Sequence, residues 1–223
     1  MPKTPPPIRE AEFDAVDISD EDAIARSFQV HVRALHAYLN QLPCLKDLQE
    51  VRRKWKSRTS ESAAFGNFGL DPKHWYTFHH GGRNEAQFNL GLWPNYFRVG
   101  LGFEFTLKKG GDPTIVGLAY SCFISVLREQ LAQFRKFVLD SSLEIEWEDN
   151  DENLSLIIST DKVVDWLLDP VPARWIFIGR LLRRNKDKPV LENPDALDAV
   201  IQTVLCGFRP IWEQTQMMAV KYG

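Results

Sequence analysis

Two alternating runs joined by a two-residue corner constrain this chain more than any other feature. From Tyr96 to Phe105, the apolar Phe97, Val99, Leu101, Phe103 and Phe105 alternate with Tyr96, Arg98, Gly100, Gly102 and Glu104. The preceding run sets Ala86, Phe88, Leu90 and Leu92 against Glu85, Gln87, Asn89, Gly91 and Trp93. Side chains on a strand change face at every residue, so alternation of this length predicts two half-buried strands. Between them, Pro94 presets φ at the first corner of a tight turn and Asn95 tolerates the second. A two-residue turn places Trp93 opposite Tyr96, Gly91 opposite Arg98, Asn89 opposite Gly100, Gln87 opposite Gly102 and Glu85 opposite Glu104. One face of the hairpin is then hydrocarbon. The other carries hydrogen-bonding side chains around a floor of glycine, walled at one end by aromatics. Strand glycines mark places where a ligand or another backbone comes close. Gln87, Asn89, Trp93, Tyr96, Gly100 and Gly102 therefore form a candidate pocket. The competing reading is that the glycines seat a packing helix, under which the amides would be costly unless paired.

The rest of the chain surrounds this hairpin with helices and further strands. Residues 1–18, with prolines at 5, 6 and 7 and then an acidic stretch, are expected to be a flexible arm. Residues 19–223 are expected to be a single domain. A first helix carries the stripe Ile24, Phe28, Val32, Leu35 and Leu39, and a basic second helix covers about 45–57. A strand is expected at about 74–80. Helical spacing from Ile115 to Val138 predicts one long core helix. Residues 143–147 and 154–159 flank an acidic turn as a second hairpin, and a short helix covers 161–168. Residues 174–182 form a buried strand leading into a basic loop. Asn193-Pro194 starts a last helix, expected to bend or break near Pro210. The fold class is α+β: a mostly antiparallel sheet packed on a long central helix, with helices at both ends.

Composition narrows the function classes. A chain of 223 residues, 44% hydrophobic, can bury one substantial core, and a formal charge of −3 gives no general attraction to polyanions. No apolar run reaches the ~18 residues of a membrane span, and no signal peptide opens the chain. Cys44, Cys122 and Cys206 are odd in number, lack C-x-x-C spacing and sit among apolar neighbours. They read as buried thiols of a reducing, cytoplasmic compartment, with neither disulfide nor zinc.

Several clusters invite chemistry. His79-His80-Gly81-Gly82-Arg83-Asn84 could clamp a phosphate through backbone N–H groups and a guanidinium, or be an ordinary interstrand loop. As a metal site it is weak, because adjacent histidines on a strand point to opposite faces. His31 and His36 read as ordinary surface or packing residues. Glu85 opposite Glu104, with Asp71 or Asp112, would allow a metal-dependent nuclease. The acid-then-E-x-K pattern of restriction nucleases fails, however, because Thr106 stands in the lysine position. Walker, G-x-S-x-G, G-x-G-x-x-G and HNH-like motifs are absent from the sequence, and no cofactor is implied. The basic residues are the better lead. Arg52, Arg53, Lys54, Lys56 and Arg58 form one group, and Arg180, Arg183, Arg184, Lys186 and Lys188 another, set against acidic stretches at 10–22 and 144–152. Such segregation suits a phosphate-contacting footprint, although charge runs are also ordinary solvated faces. Candidate DNA contacts are Arg52, Arg53, Lys54, His79, Arg83, Asn84, Arg98, Arg183 and Arg184. Aromatics and amides at the hairpin could stack on and read an extruded base.

The segments WYTFHHGGRNEAQFNLGL, YFRVGLGFEF, WIFIGRLL and PDALDAVIQTVLCGFRPIW, in that order over about 74–215, resemble the N-terminal specificity domains of modification-dependent restriction enzymes. These domains stand ahead of McrB-type motors or HNH nucleases. The resemblance is one of element order and includes no catalytic motif, so it carries over no residue roles. It implies a module that binds double-stranded DNA, in some systems by flipping a methylated base, while a separate nuclease or motor domain or subunit acts on it. Two readings stand: a DNA-recognition module of a restriction or phage-defence protein, or a metal-dependent hydrolase using Glu85, Glu104 and an Asp.

Overall fold

The computed structural model describes residues 3–17, 31, 34–35, 37–39, 41–45, 48, 74–78, 86–104, 117–148, 155–169 and 175–222. Among them, β1 (His74–Phe78), β2 (Gln87–Leu92), β3 (Tyr96–Glu104), β4 (Glu144–Glu148), β5 (Ser155–Ile158) and β6 (Trp175–Arg183) form one sheet in the order β1-β2-β3-β6-β4-β5. Helices whose bounds are described include α1 (Glu10–Asp17), α2 (Leu118–Glu129), α3 (Leu131–Asp140), α4 (Val163–Leu168), α5 (Lys188–Leu191) and α6 (Pro194–Tyr222). The chain is α+β. Among the described residues, no helix is long and apolar enough to cross a membrane.

The first hairpin forms where alternation places it, and the strands of the second lie where the runs flanking the acidic stretch place them. The Trp93 N–H donates to the Tyr96 carbonyl at 2.9 Å, closing β2 on β3 across Pro94-Asn95. Strand β4 pairs antiparallel with β5, Ile145 opposite Ile158, and on its other side with β6, Ile145 opposite Ile178. Strand β6 lies between β3 and β4 and is buried along most of its length.

The chain groups into two compact units, one of Met1–His80, Asn89–Val99 and Leu181–Thr203, the other of Gly81–Phe88, Gly100–Arg180 and Val204–Gly223. Strands β2, β3 and β6 and helix α6 each run through both. In the second unit the hydrocarbon face of β3 meets α2: Phe103 packs on Phe123 (centroids 4.8 Å apart) and edge-on to Tyr120 (5.3 Å). Phe123 contacts Phe134 of α3, and Phe137 meets Phe208 of α6 edge-on at 5.2 Å. Trp212 of α6 lies against Phe88 and donates its indole N–H to the Ala86 carbonyl at 2.7 Å. Helix α6 thus supplies rings to the same apolar layer that α2 and α3 build.

The expected long core helix is two helices. Gln130 leaves the helical region (φ −121°, ψ 25°), and its side-chain amide donates to the Gln214 Oε1 of α6 at 2.7 Å. The apolar spacing continues across the joint, which is why periodicity alone does not show it. Gly117, before α2, has φ 78°, a conformation that favours glycine. Asn193 caps α6 as its position predicts, its Oδ1 accepting from the Asp195 and Ala196 N–H groups. Of the bend or break expected near Pro210, the break does not occur: α6 remains helical through it.

In the first unit the expected flexible arm is packed structure. Ile8 and Phe13 are each 1% exposed, the Ile8 N–H donates to the Leu191 carbonyl at 2.8 Å, and residues 10–17 are helical. Two buried apolar anchors outweigh the proline cluster's bias toward an open chain. Leu35 and Leu39 of the first helical stripe are buried, as is Tyr38, whose hydroxyl bonds the Asp198 carboxylate. The basic helix expected at 45–57 lies almost wholly outside the described residues. Cys44 and Cys122 are buried as expected, but Cys206 is exposed on α6.

Candidate nucleic-acid interface

The hairpin tip and the basic turn after β6, far apart in sequence, meet in the first unit. The backbone N–H of Arg184 donates to the carbonyl of Asn95 at 2.9 Å, tying the turn at 184–187 to the corner between β2 and β3. Beside this joint, Trp93 and Tyr96 stack nearly parallel (5.6 Å, 9°), and the Arg98 guanidinium lies 3.7 Å from the Trp93 ring centroid. Trp93 thus meets a phenol ring and a guanidinium, both contacts that ring quadrupoles favour. Arg98 also donates its Nε–H to the Asn89 Oδ1 at 2.9 Å, so two buried polar side chains satisfy one another. Period-two alternation explains the set, since Asn89, Trp93, Tyr96 and Arg98 share one face of the hairpin.

Around the turn, Asn95, Asn185 and Lys186 are exposed and Arg183 is half-buried. The Asp187 carboxylate accepts from the Arg183 backbone N–H at 2.7 Å, and the Arg183 Nη1 donates to the Leu181 carbonyl at 2.9 Å. Arg184 is engaged more heavily. Its Nε–H and Nη2 groups donate to Glu10 Oε2 and Asp14 Oδ1 of α1, each at 2.5 Å, and its pKa is raised by those carboxylates. Arg184 is therefore not an open phosphate contact as the charge run alone implies. Carboxylates of the N-terminal helix already hold it.

The glycine floor is likewise not open. A Cβ at Gly102 would lie 2.4 Å from the indole of Trp175, and one at Gly100 would lie 2.2 Å from the Ile178 carbonyl oxygen. The glycines thus admit a tryptophan and a neighbouring backbone, both from β6. The helix weighed as their alternative occupant is not what meets them. Trp175 opens a strand expected on its apolar run alone, and nothing local in the sequence directs its ring toward Gly102.

Of the other candidates, Arg52, Arg53, Lys54, His79, Arg83, Asn84 and Glu85 lie outside the described residues, and the Glu104 side chain does too. Among the described residues, no group of three His, Cys, Asp or Glu side chains is placed to hold a metal ion. Glu146, which belongs to the acidic stretch 144–152, is only 4% exposed on β4, across from Phe177 and Ile157. Alternation groups Glu146 with Glu144 and Glu148 on the polar face, so nothing local in the sequence signals its burial. Burial raises the Cys122 thiol pKa, which makes it a poor nucleophile.

His31 is a packing residue with a consequence. Burial, and secondarily Arg9, lower its pKa from 6.5 to about 4. The Glu12 carboxylate 3.8 Å from its Nδ1 does not offset this, so the folded protein holds a neutral imidazole at pH 7. An unfolded His31 takes up its proton near 6.5 and the folded one near 4, so stability is lost as pH falls through that window. The loss at full protonation is about 3 kcal/mol at most. Urea unfolding at pH 7 and pH 4.5 should show a smaller acid loss for His31→Gln than for wild type. Equal losses would place the acid sensitivity elsewhere.

The sequence matches no protein-family model, and no curated protein is significantly similar to it.

Proposed function

We propose that the chain is a DNA-binding recognition module of a restriction or defence system, gripping duplex DNA without cutting it. The observation that carries this reading is the joint between Arg184 and Asn95. It sets Arg183, at the end of β6, and the exposed Lys186 of the turn near Tyr96, whose ring backs onto the buried Trp93. Phosphates are contacted by cations and bases by planar rings, and both chemistries stand at one end of the first unit. The resemblance to specificity domains of modification-dependent restriction enzymes supports the same reading. It also extends it to a modified base, with a nuclease or motor as the acting partner. Arg52, Arg53, Lys54 and Arg83 would add phosphate contacts. Gln87 and Asn89 carry amides of the kind that read a base edge. Asn89 is committed to Arg98, which leaves Tyr96 and Asn95 the better placed for bases.

The test is an electrophoretic mobility shift with plain, cytosine-methylated and adenine-methylated duplexes at low and moderate salt, with and without magnesium. Affinity should fall steeply with salt. Arg183→Ala with Lys186→Ala should weaken binding to every duplex alike and lower the salt slope by about 1 to 2. Tyr96→Ala should instead narrow the methylated-to-plain ratio. Binding that ignores salt would sink the proposal, and magnesium-dependent cleavage by the pure chain would return the hydrolase reading using Glu85 and Glu104.

A further inference from the structure

Helix α1 carries Glu10, Glu12, Asp14 and Asp17 and no basic residue. Eight residues of this composition would not hold a helix alone in water, where nucleation is costly. Its place is set by burial of Ile8 and Phe13 and by the bond from the Ile8 N–H to Leu191. Those anchors present Glu10 and Asp14, four residues apart and so on one helical face, to a single guanidinium. Arg184 donates through two different nitrogens to the two carboxylates and lies 5.5 Å from the Phe13 ring centroid. Two oxyanions held by one arginine fork is the arrangement that guanidinium also makes with phosphate oxygens.

We infer that α1 is an intramolecular competitor for the nucleic-acid interface: Glu10 and Asp14 occupy Arg184 in place of backbone phosphates, and duplex DNA must displace them to use it. This rests on the DNA-binding reading above and adds its regulation. The anchors and the clasp have separate roles. Ile8 and Phe13 are buried, whereas the Glu10 and Asp14 side chains are 43% and 56% exposed, so the ionic contacts can exchange while the helix stays attached. Ion pairs this exposed are weak and salt-sensitive, as a displaceable contact requires.

The experiment uses the full chain with Glu10→Gln plus Asp14→Asn, substitutions that keep side-chain shape and leave Ile8 and Phe13 in place. Binding of unmodified duplex at low salt should tighten by about tenfold, the effect of releasing two exposed pairs. The salt slope should steepen by about 1 as one more phosphate contact forms. In an Arg184→Ala background the same two substitutions should give no gain. Unchanged affinity and slope in the double variant would overturn the inference while leaving DNA binding intact. A gain that persists without Arg184 would also overturn it, since it would reflect general loss of negative charge. If neither wild type nor variant binds duplex, the DNA-binding reading itself falls, and the clasp with it. Should the double variant melt, Glu10→Gln alone is scored by the same criteria with a smaller expected gain.

Discussion

Alanine at position 100 is expected to cost about 3 kcal/mol or more, enough to unfold much of the population of a marginally stable domain. The added Cβ would sit 2.2 Å from the Ile178 carbonyl oxygen and 2.6 Å from the Gly179 Cα. Both atoms are backbone of β6, and β6 cannot retreat without loosening its ladder to β4, where Ile178 faces Ile145 and Gly179 faces Glu144. Gly102→Ala makes the informative contrast. Its Cβ would meet the outer edge of the Trp175 indole, a side chain that can swing, so the cost should be about 1 to 2 kcal/mol. Trp175→Ala combined with Gly102→Ala should then cost less than the sum of the two single changes, a coupling that chemical denaturation resolves. If Gly100→Ala melts like wild type, or if removing Trp175 brings Gly102→Ala no relief, the packing assigned to this face is wrong. Gly102→Ala also gives a folded protein in which to ask whether that face influences discrimination between methylated and plain duplexes.

The second large effect is expected at Trp212. It is 1% exposed, packs on Phe88 and donates to the Ala86 carbonyl. Trp212→Ala removes the ring and leaves a cavity, for about 3 to 5 kcal/mol. Trp212→Phe keeps most of the packing but withdraws the donor from a buried carbonyl, for about 1 to 3 kcal/mol. The order Ala worse than Phe, measured from urea midpoints at constant m-value, is the outcome to look for. A Phe variant as damaged as the Ala variant would make the hydrogen bond, and not the burial, the dominant contribution.

Legibility in the sequence followed the range of the interaction. The corner at Pro94-Asn95, the second hairpin and the Asn193 cap are decided within a few residues, and each appears where the local pattern puts it. The helix joint at Gln130 carries a hydrogen bond to a glutamine 84 positions away, and the uninterrupted apolar spacing hides it. The packing of the arm is hidden for the same reason: prolines at 5, 6 and 7 are visible, whereas what receives the Ile8 N–H is a carbonyl at Leu191. At the candidate interface, alternation put Asn89, Trp93, Tyr96 and Arg98 on one face correctly. It could not show that Asn89 would be committed to Arg98, or that Trp175 would lie on Gly102. The basic run at 180–188 was visible as charge. Its division into an Arg184 held by α1 and an exposed Lys186 was not, because carboxylates at 10 and 14 make that distinction.

The strand order carries a consequence for how the protein comes into being. Strand β6, last in chain order of the described strands, lies in the interior of the sheet, between β3 of one hairpin and β4 of the other. Until the ribosome has delivered residues 175–183, each hairpin has an open edge where β6 belongs, and such edges are templates for wrong pairing. Assembly must therefore wait on contacts distant in sequence, which makes folding slow for a chain of this size. During synthesis the nascent β2–β3 and β4–β5 pairs are the segments a chaperone would have to shield. A release of truncated chains ending before Trp175 should yield aggregates, while chains extended past Arg183 and α6 should become protease-resistant.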